Sequence, residues 1–283
     1  MTRERATAFV PGHVTGFFSA HEADSPALAG SRGAGLTLTD GVDVTVTVDE
    51  GNRKGRLNGD PATIAPVDDV LDALGVDGTV AVETDLPVGA GFGVSGAAAL
   101  GTALAANAAG DAGRSENELV RIAHEAEVER GTGLGDVVAQ ARGGVPIRVE
   151  PGAPDHGDLD GIPAGCRVEY VAFGERSTEA VLAGDTTALS AAGERALDRL
   201  RADPRLSTLM AASRVFAKDA DLLVPEVADA IEAVDDATDD GAPGAAMAML
   251  GRTVFALGTG LSDAGYNPAV CHTHAAGAQL VEP

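Results

Sequence analysis

Residues Leu86-Pro-Val-Gly-Ala-Gly-Phe-Gly-Val-Ser-Gly-Ala-Ala98 form a glycine-rich loop between a predicted strand, 79–84, and a predicted helix, 94–108. Glycines let the backbone approach a ligand closely, and a helix N-terminus offers free N–H groups with a partial positive charge. The stretch therefore predicts an anion-binding loop. On spacing alone, a tight turn that holds no ligand is the alternative.

Two familiar phosphate motifs can be compared with this loop. A P-loop requires Lys followed by Ser or Thr after its last glycine, whereas Ala97 and Ala98 follow Gly96 here. The segment Gly91-Phe-Gly-Val-Ser-Gly96 matches the dinucleotide fingerprint by its letters. That fingerprint belongs to a strand–helix–strand unit, but the next predicted element is a second helix, so we interpret the match as accidental.

The remaining chain predicts an α+β protein of two lobes that divide near residue 155, in a Pro- and Gly-rich stretch, 151–165, interpreted as a linker. Alternating or apolar runs predict further strands at 36–49, 145–149 and 167–173, with a loop at 51–59. Helix-forming patterns predict helices at 115–130 and 136–142 and near 186–201, 205–217, 225–235 and 243–257.

The helix 115–130 begins with a capping box, Ser115 to Glu118. At about 100° per residue, Glu127 falls on its apolar side, unlike Glu125 and Glu129. An inward carboxylate is costly unless it is paired or bound to a metal, so Glu127 is a candidate ligand. A boundary residue that bends to solvent is the alternative.

Three further segments carry candidate groups, each with an ordinary structural alternative. Asp136 opens the helix 136–142 and is either a helix cap or a catalytic group. Arg148 points away from the face that Ile147 and Val149 share, as a solvated residue or as a clamp for a carboxylate. Cys271-His-Thr-His274 has the composition of a metal site, but the sequence offers no convincing fourth ligand.

The overall charge excludes several classes of partner. The 283 residues include 20 basic and 43 acidic side chains, a net charge of −23, and Lys54 and Lys218 are the only lysines. Such a surface repels nucleic acid and anionic lipid. The composition favours a salt-rich cytoplasm, where screening reduces self-repulsion, and the two cysteines suit a reducing compartment. The N-terminal residues lack a signal-peptide pattern, and no apolar run is long enough to span a bilayer.

Together these segments resemble the GHMP kinase superfamily of small-molecule kinases, and within it the archaeal family that phosphorylates pantoate. The resemblance covers most of the first 180 residues and rests on five segments: Phe9-Val-Pro-Gly-His-Val-Thr-Gly-Phe-Phe18, Gly30-Ser-Arg-Gly-Ala-Gly-Leu36, the loop 86–98, Ala123-His-Glu-Ala-Glu127 and Gly131-Thr-Gly-Leu-Gly-Asp136. It implies a two-lobed GHMP kinase fold, with a ribosomal-protein-S5-like N-terminal lobe (1–155) and a ferredoxin-like C-terminal lobe (156–283). Two departures stand out. In the usual Gly-Ser-Ser-Ala-Ala run of the phosphate loop, Gly96 replaces the second small residue, so Ser95 is the only hydroxyl. The segment Met249–Gly258 matches the third, glycine-rich motif poorly.

The resemblance also implies site roles for an ATP- and Mg²⁺-dependent kinase. The residues expected to bind ATP through the loop backbone are Pro87, Gly89, Gly91, Gly93, Val94, Ser95, Gly96 and Ala97. Ser95 and Glu127 would hold Mg²⁺, and Asp136 would orient or deprotonate the acceptor hydroxyl. The expected contacts of pantoate are Ser31, His124, Arg148, Ser177 and Thr178.

The resemblance suggests a homodimer, and the net charge predicts that it binds neither nucleic acid nor membrane. Three alternative functions remain open at this point. They are a GHMP kinase acting on another hydroxy compound such as mevalonate or homoserine, a nicotinamide oxidoreductase, and a non-catalytic binding protein on a kinase-like fold.

Overall fold

A computed structural model of the protein describes residues 4–175, 184–237 and 244–281. The strands are β1 (Arg5–His21), β2 (Gly30–Val48), β3 (Lys54–Leu57), β4 (Asp60–Pro61), β5 (Gly78–Glu83), β6 (Val145–Glu150), β7 (Asp158–Ile162), β8 (Arg167–Ala172), β9 (Ala245–Ala248), β10 (Thr253–Leu257), β11 (Ala269–His272) and β12 (Gln279–Val281). The helices are α1 (Ala65–Leu74), α2 (Val94–Gly110), α3 (Glu116–Arg130), α4 (Asp136–Arg142), α5 (Thr187–Ala202), α6 (Leu206–Asp219), α7 (Pro225–Ala237) and α8 (Gly260–Asp263).

Two β-sheets organise these elements, as the α+β prediction requires. The first sheet follows the order β12-β1-β2-β5-β3-β4, with β6 paired to β2 and β7 to β6. The second sheet follows the order β11-β8-β10-β9. The long antiparallel pair β1–β2 runs from Arg5 opposite Thr47 to His21 opposite Gly30. The register of this pair shifts at bulges between Pro11 and Gly12 and between Thr15 and Phe17, where strands typically bend.

Helix α2 covers the first sheet and carries the phosphate loop at its N-terminal end. Its alanines are buried on nearly all sides, which suits a helix packed between the sheet and helices α1 and α3. A Cβ atom at Gly101 would lie 2.5 Å from Val44 Cγ2, so glycine is what allows this close approach to β2. The N-terminus of α2 is thereby fixed against the rigid β1–β2 pair.

The two sheets meet beside this helix end. Thr15 in β1 forms an isolated antiparallel bridge with Met249, just after β9. Helix α5 also binds the far end of β1, where Glu194 accepts hydrogen bonds from Ser19 Oγ at 2.5 Å and Arg32 Nη1 at 2.6 Å. A cleft lies between the phosphate loop, residues 86–98, and the β1–β2 pair.

Most predicted elements are present within a few residues, and three predictions are wrong. The helix predicted near 243–257 is wrong for its described residues, 244–257, because 245–248 and 253–257 are buried strands of the second sheet, where burial outweighs the helix propensity of Ala, Met and Leu. The predicted loop 51–59 contains β3, which pairs with β5 in parallel. The predicted linker 151–165 contains β7, which pairs with β6.

The C-terminal strand β12 also returns to the first sheet and pairs with β1. The boundary at residue 155 stays a prediction, although β7 and β12 both lie after it. None of the described helices combines the length and apolar character needed to cross a membrane.

Candidate functional site

A cavity of about 330 Å³ lies where the phosphate loop faces β1, β2 and β6. The predicted site residues that line it are Ser31, Gly89, Gly91, Gly93, Val94, Ser95, Gly96, Glu127, Asp136 and Arg148. Met249 and Leu250 close it from the second sheet, while Thr15 and Phe18 contribute from β1. Residues far apart in the sequence thus share one cleft.

The phosphate loop presents backbone rather than charged side chains to the cavity. Gly89, Gly91 and Gly93 have φ angles of 74°, 92° and 64°, in the left-handed region that glycine adopts without strain. Gly93 caps α2, and no side chain of the described residues caps the free N–H groups of that helix end. These groups and the helix dipole favour an anion such as a phosphate.

The second sheet holds the loop from behind. Thr253 Oγ1 donates to the Ala90 carbonyl at 2.7 Å, and a Cβ atom at Gly251 would lie 1.9 Å from the same oxygen. The segment 249–258, a poor match to the third motif in the sequence, therefore contacts the phosphate loop directly.

The side chains of Ser95, Glu127 and Thr132 form a hydrogen-bonded group beside the helix end. Ser95 Oγ donates to Glu127 Oε1 at 2.5 Å, and Thr132 Oγ1 donates to the same oxygen at 2.9 Å. Glu127 is only 2% exposed, so its predicted inward orientation is confirmed. Burial raises the pKa of Glu127 to about 7, although the two hydroxyl donors lower it, and the charge of Asp136 raises it further.

These oxygens fit a hard divalent cation. A carboxylate and a hydroxyl in contact offer the ligands that Mg²⁺ prefers, and Mg²⁺ usually completes its shell with water and substrate phosphates. A Cβ atom at Gly133 would lie 2.5 Å from Glu127 Oε2 and 3.4 Å from Asp136 Oδ2, so both carboxylates point toward the same space. A cation there would relieve the repulsion between them.

Asp136 is the first residue of α4, and its carboxylate is held from one side. His13 Nδ1 lies 2.7 Å from Asp136 Oδ1, while about a quarter of the Asp136 side chain remains exposed. Burial acts to raise the pKa of Asp136, but the hydrogen bond from His13 and the charges nearby, including that of Arg148, outweigh it and hold this pKa below its usual value. The carboxylate is therefore ionised at neutral pH, and its second oxygen is available to a ligand.

Arg148 is a buried cation without a carboxylate in contact. Its side chain is 2% exposed, Nε donates to Ser31 Oγ at 3.2 Å, and Nη1 has no partner among the described residues. Burial lowers the pKa of Arg148 to about 10, against the opposing effect of Asp136, so the group stays protonated. A buried guanidinium with a free donor in a cavity is suited to bind an anionic group. This burial excludes the solvated-residue alternative.

Glycine also creates room for this cation. A Cβ atom at Gly135 would lie 2.4 Å from Ser31 Oγ and 2.6 Å from Arg148 Nε. The Gly-rich turn before Asp136 is thus required for the Ser31–Arg148 contact.

Several predicted residues lie elsewhere. His124 is buried outside the cavity, with Nε2 2.9 Å from the Ala29 carbonyl, so it supports the segment that leads into β2. Pro87 and Ala97 belong to the loop 86–98 but do not line the described cavity. Ser177 and Thr178 lie outside the described residues.

The sequence reasoning assigned no role to His13 or Thr132. Both lie in quoted segments, Phe9–Phe18 and Gly131–Asp136, but their partners come from elements far away in the chain. The one sequence signal for His13 is the position of a histidine within the largely apolar segment Phe9–Phe18.

Two other sequence patterns can now be placed. After α2 the chain continues into α3, not into a strand, so the context of a dinucleotide fingerprint is missing. In the segment 271–274, His274 Nδ1 lies 2.7 Å from the Ala276 carbonyl. Within residues 4–175, 184–237 and 244–281, no three His, Cys, Asp or Glu side chains come together as a metal site.

Comparisons of the sequence and of the structure with known proteins point to the same group of kinases. Residues 64–144 match the sequence model of the GHMP kinases N terminal domain. The chain is 35% identical over 265 residues to a pantoate kinase of Thermococcus kodakarensis, covering 88% of this chain and 86% of that enzyme. It is also 35% identical to a pantoate kinase of Methanospirillum hungatei, covering 91% and 89% of the two chains. A solved structure described as a phosphotransferase related to the CoA biosynthesis pathway superposes with a TM-score of 0.86 at 30% identity, over 98% of both chains.

Proposed function

Since the chain belongs to the pantoate kinase family of the GHMP kinases, we propose that it transfers the γ-phosphoryl group of ATP to the terminal hydroxyl of pantoate, a step toward coenzyme A. The single observation that carries the choice of substrate is Arg148, a buried cation whose Nη1 has no partner in the described part of the chain and which lines the same cavity as Asp136. Its chemistry matches the carboxylate of pantoate.

The phosphate loop supports the binding of ATP. Its left-handed glycines keep the backbone open, and the uncapped N-terminus of α2 directs N–H groups toward the cavity. Phosphoryl transfer asks little covalent chemistry of a protein, so positioning and charge neutralisation dominate. The residues that would hold Mg²⁺ are Ser95 and Glu127, and the bound ion supplies charge neutralisation on the phosphates.

Asp136 would handle the acceptor hydroxyl. Its Oδ2 accepts a hydrogen bond from the terminal hydroxyl of pantoate, whose oxygen then bonds to the γ-phosphorus as the bond to the β-phosphate oxygen breaks. The hydroxyl proton passes to Asp136. A carboxylate with a lowered pKa is a weak base, which is adequate because the proton leaves late in a loose transition state.

Substrate contacts divide between polar and apolar walls. Arg148 and Ser31 would bind the carboxylate, while Phe18 and Leu250 line the same cavity with apolar surface that suits the methyl groups of pantoate. Homoserine carries a charged amine and lacks these methyl groups, so we expect it to bind poorly in this cavity.

The cellular setting is a finer proposal. We propose a homodimer in a salt-rich cytoplasm, without nucleic acid or membrane partners. The net charge of −23 supports the absence of polyanion partners, and Val270, Leu280 and Val281 on the edge strands β11 and β12 leave apolar surface that a second copy could cover. Light scattering in concentrated potassium chloride measures the mass directly.

The decisive experiment is a coupled assay of ADP release with ATP and Mg²⁺ across pantoate, mevalonate and homoserine. Phosphorylation of pantoate alone, confirmed by ³¹P NMR of the product, is the expected result. Turnover of another compound with none of pantoate would replace this proposal. Omission of Mg²⁺ and replacement of ATP by NAD serve as controls, and an NAD-dependent change in absorbance would favour the oxidoreductase alternative.

A further inference from the structure

His13 is a buried titratable residue that the proposed phosphoryl transfer leaves unused. It lies in the middle of β1 with no exposed surface, and its Nδ1 is 2.7 Å from Asp136 Oδ1. The residue does not line the cavity itself. It therefore contacts the group proposed to bind the acceptor hydroxyl, from the side away from the ligand.

The charge state of the ring follows from its surroundings. Burial lowers the pKa of His13 and the charge of Arg148 lowers it further, whereas Asp136 acts in the opposite direction. The ring is neutral near pH 7, and because an ionised carboxylate can only accept, the single proton lies on Nδ1. Nε2 then carries a lone pair with no partner among the described residues, and a Cβ atom at Gly35 would lie 2.6 Å from it. No titratable group of β2 or of the phosphate loop faces the ring, so Asp136 and Arg148 are the charges that set its state.

The backbone of His13 makes a second connection. Its N–H donates to the Phe92 carbonyl in the phosphate loop at 3.0 Å. One turn along α4 from Asp136, Gln140 Nε2 donates to the Gly93 carbonyl, also at 3.0 Å. The phosphate loop and the helix that carries Asp136 are thus linked twice, once through His13.

We propose that His13 is a positioning residue of the phosphoryl transfer: its Nδ1–H fixes Oδ1 of Asp136, and its backbone N–H fixes the phosphate loop. Oδ2 of Asp136 then faces the acceptor hydroxyl at a set distance from the phosphate-binding backbone. His13 neither gains nor loses a proton during the reaction, because its free nitrogen is closed off from the cavity. This inference rests on the proposed function.

Two substitutions separate positioning from mere packing. His13→Asn keeps an N–H donor close to the position of Nδ1, whereas His13→Leu keeps volume and removes the donor. We expect kcat to fall about 100-fold in His13→Leu and less than about tenfold in His13→Asn, with KM for ATP and for pantoate changed less than about threefold. The exposed His272 in β11 provides the matched control, His272→Asn, which keeps wild-type kinetics.

The pH profile supplies a readout that a packing role would not move. Without the Nδ1–H donor the pKa of Asp136 rises, so the acid limb of kcat moves to higher pH in His13→Leu and stays in place in His13→Asn. Equal losses in both variants, with thermal unfolding unchanged, would show that the donor is irrelevant and overturn the proposal. Wild-type kinetics in His13→Leu would do the same.

A measurement on the wild-type protein remains decisive if His13→Leu does not fold. In protein labelled with ¹⁵N-histidine, the resonances missing from His13→Asn assign the ring. A neutral ring with the proton on Nδ1 near pH 7 is expected, and a doubly protonated ring or a proton on Nε2 would overturn the proposal. Because this spectrum needs no substrate, it tests the His13–Asp136 contact separately from turnover: a lack of pantoate turnover would overturn the proposed function, whereas a wrong tautomer would overturn the role of His13 alone.

Discussion

At the phosphate-loop end of the cavity the described lining offers backbone N–H groups and no basic side chain, whereas at a second end, beside Ser31 and Gly135, Arg148 offers a full positive charge. The difference is instructive in a chain with a net charge of −23. An arginine on this surface is readily neutralised. The exposed or half-buried arginines that pair with a carboxylate within 4 Å are Arg32, Arg53, Arg114, Arg121, Arg130, Arg167, Arg195, Arg205, Arg214 and Arg252.

Both ends avoid this competition by different physical means. Backbone dipoles at a helix end are fixed in direction and cannot be bent toward a neighbouring carboxylate. Arg148 keeps a free donor because it is buried, with Gly135 leaving space for it and Ser31 holding Nε. Long-range repulsion of anions by the surface is screened by salt, so short-range donors decide binding. The two ends should therefore respond separately to substitution.

Asp136→Asn tests the carboxylate that lines the cavity together with the phosphate loop and Arg148. Asparagine keeps the size and the contact to His13 but loses the negative charge that receives the hydroxyl proton. We expect kcat to fall by about 10³-fold, with ATP affinity changed less than about threefold. Coupled ADP release and calorimetric titration of ATP measure the two quantities.

Asp111→Asn is the matched control, because Asp111 caps α2 far from the cavity in a left-handed conformation that Asn also tolerates. It should keep wild-type turnover. Wild-type turnover in Asp136→Asn itself would contradict the role given to this carboxylate.

Arg148→Met and Arg148→Lys break the carboxylate end alone. Methionine removes the charge, and lysine keeps it but lacks the planar group whose Nε bonds Ser31. We expect kcat/KM for pantoate to fall about 100-fold in Arg148→Met and at least about tenfold in Arg148→Lys, while KM for ATP stays unchanged.

The half-buried Arg121, whose Nη1 lies 3.7 Å from Asp155 Oδ2, gives the control Arg121→Met, which should keep wild-type kinetics. A parallel rise in KM for ATP would show that the two ends are not independent.

Arg148 also shows how far the sequence leads. The alternation of 145–149 predicted a strand and an orientation, but it could not separate a solvated arginine from a buried clamp, since that depends on Ser31 and Gly135 from distant segments. Glu127 was predictable because one helix and its periodicity decide its orientation. His13 was not, because its partner is 123 residues away.

The same distinction explains the errors in the fold. Helices 94–110 and 116–130 carry local signals, the glycine loop and the capping box, and their existence and type were predicted from them. Residues 245–257 have good helix propensity, but 253–257 pair with residues of β8 that lie 81 to 89 positions earlier in the chain. Tertiary burial of this kind leaves no local pattern.

Glu127→Gln sharpens the comparison at the metal side of the phosphate loop. Glutamine keeps a neutral oxygen but binds Mg²⁺ more weakly, so the Mg²⁺ concentration for half-maximal activity should rise about tenfold. In the absence of Mg²⁺, by contrast, we expect Glu127→Gln to make the folded protein more stable. Because the pKa of about 7 in the folded protein exceeds the ordinary glutamate pKa of 4.5, ionisation of Glu127 costs stability progressively as pH rises from about 4.5 to 7.

Glu127→Gln removes this cost, so the metal-free variant should unfold a few degrees above wild type at pH 8, and the difference should vanish near pH 4. Differential scanning calorimetry without divalent ions measures it. Glu125→Gln, on the same helix but partly exposed, should show no such difference. If metal-free Glu127→Gln were less stable than wild type at pH 8, the claim that burial of the ionised Glu127 carboxylate costs stability would be wrong.

Gly93→Ala tests whether the phosphate-loop end works through its backbone. Gly93 has φ 64° and caps α2, and a Cβ atom there would lie 3.1 Å from both Asp136 Oδ1 and Gln140 Nε2. Gly113 has a similar φ of 68° but no atom within 4 Å of a Cβ position, so Gly113→Ala carries the same conformational strain without the crowding. Both variants should lose about 1 kcal/mol of stability from a left-handed alanine.

Only Gly93→Ala should raise KM for ATP, by about fivefold, because the crowding shifts the helix end that faces the phosphates. Steady-state kinetics on both variants separate the two contributions. An equal KM for ATP in the two variants would mean that the loop backbone has room to adjust, and that the side chains of Ser95 and Glu127, not the amide groups, carry nucleotide binding.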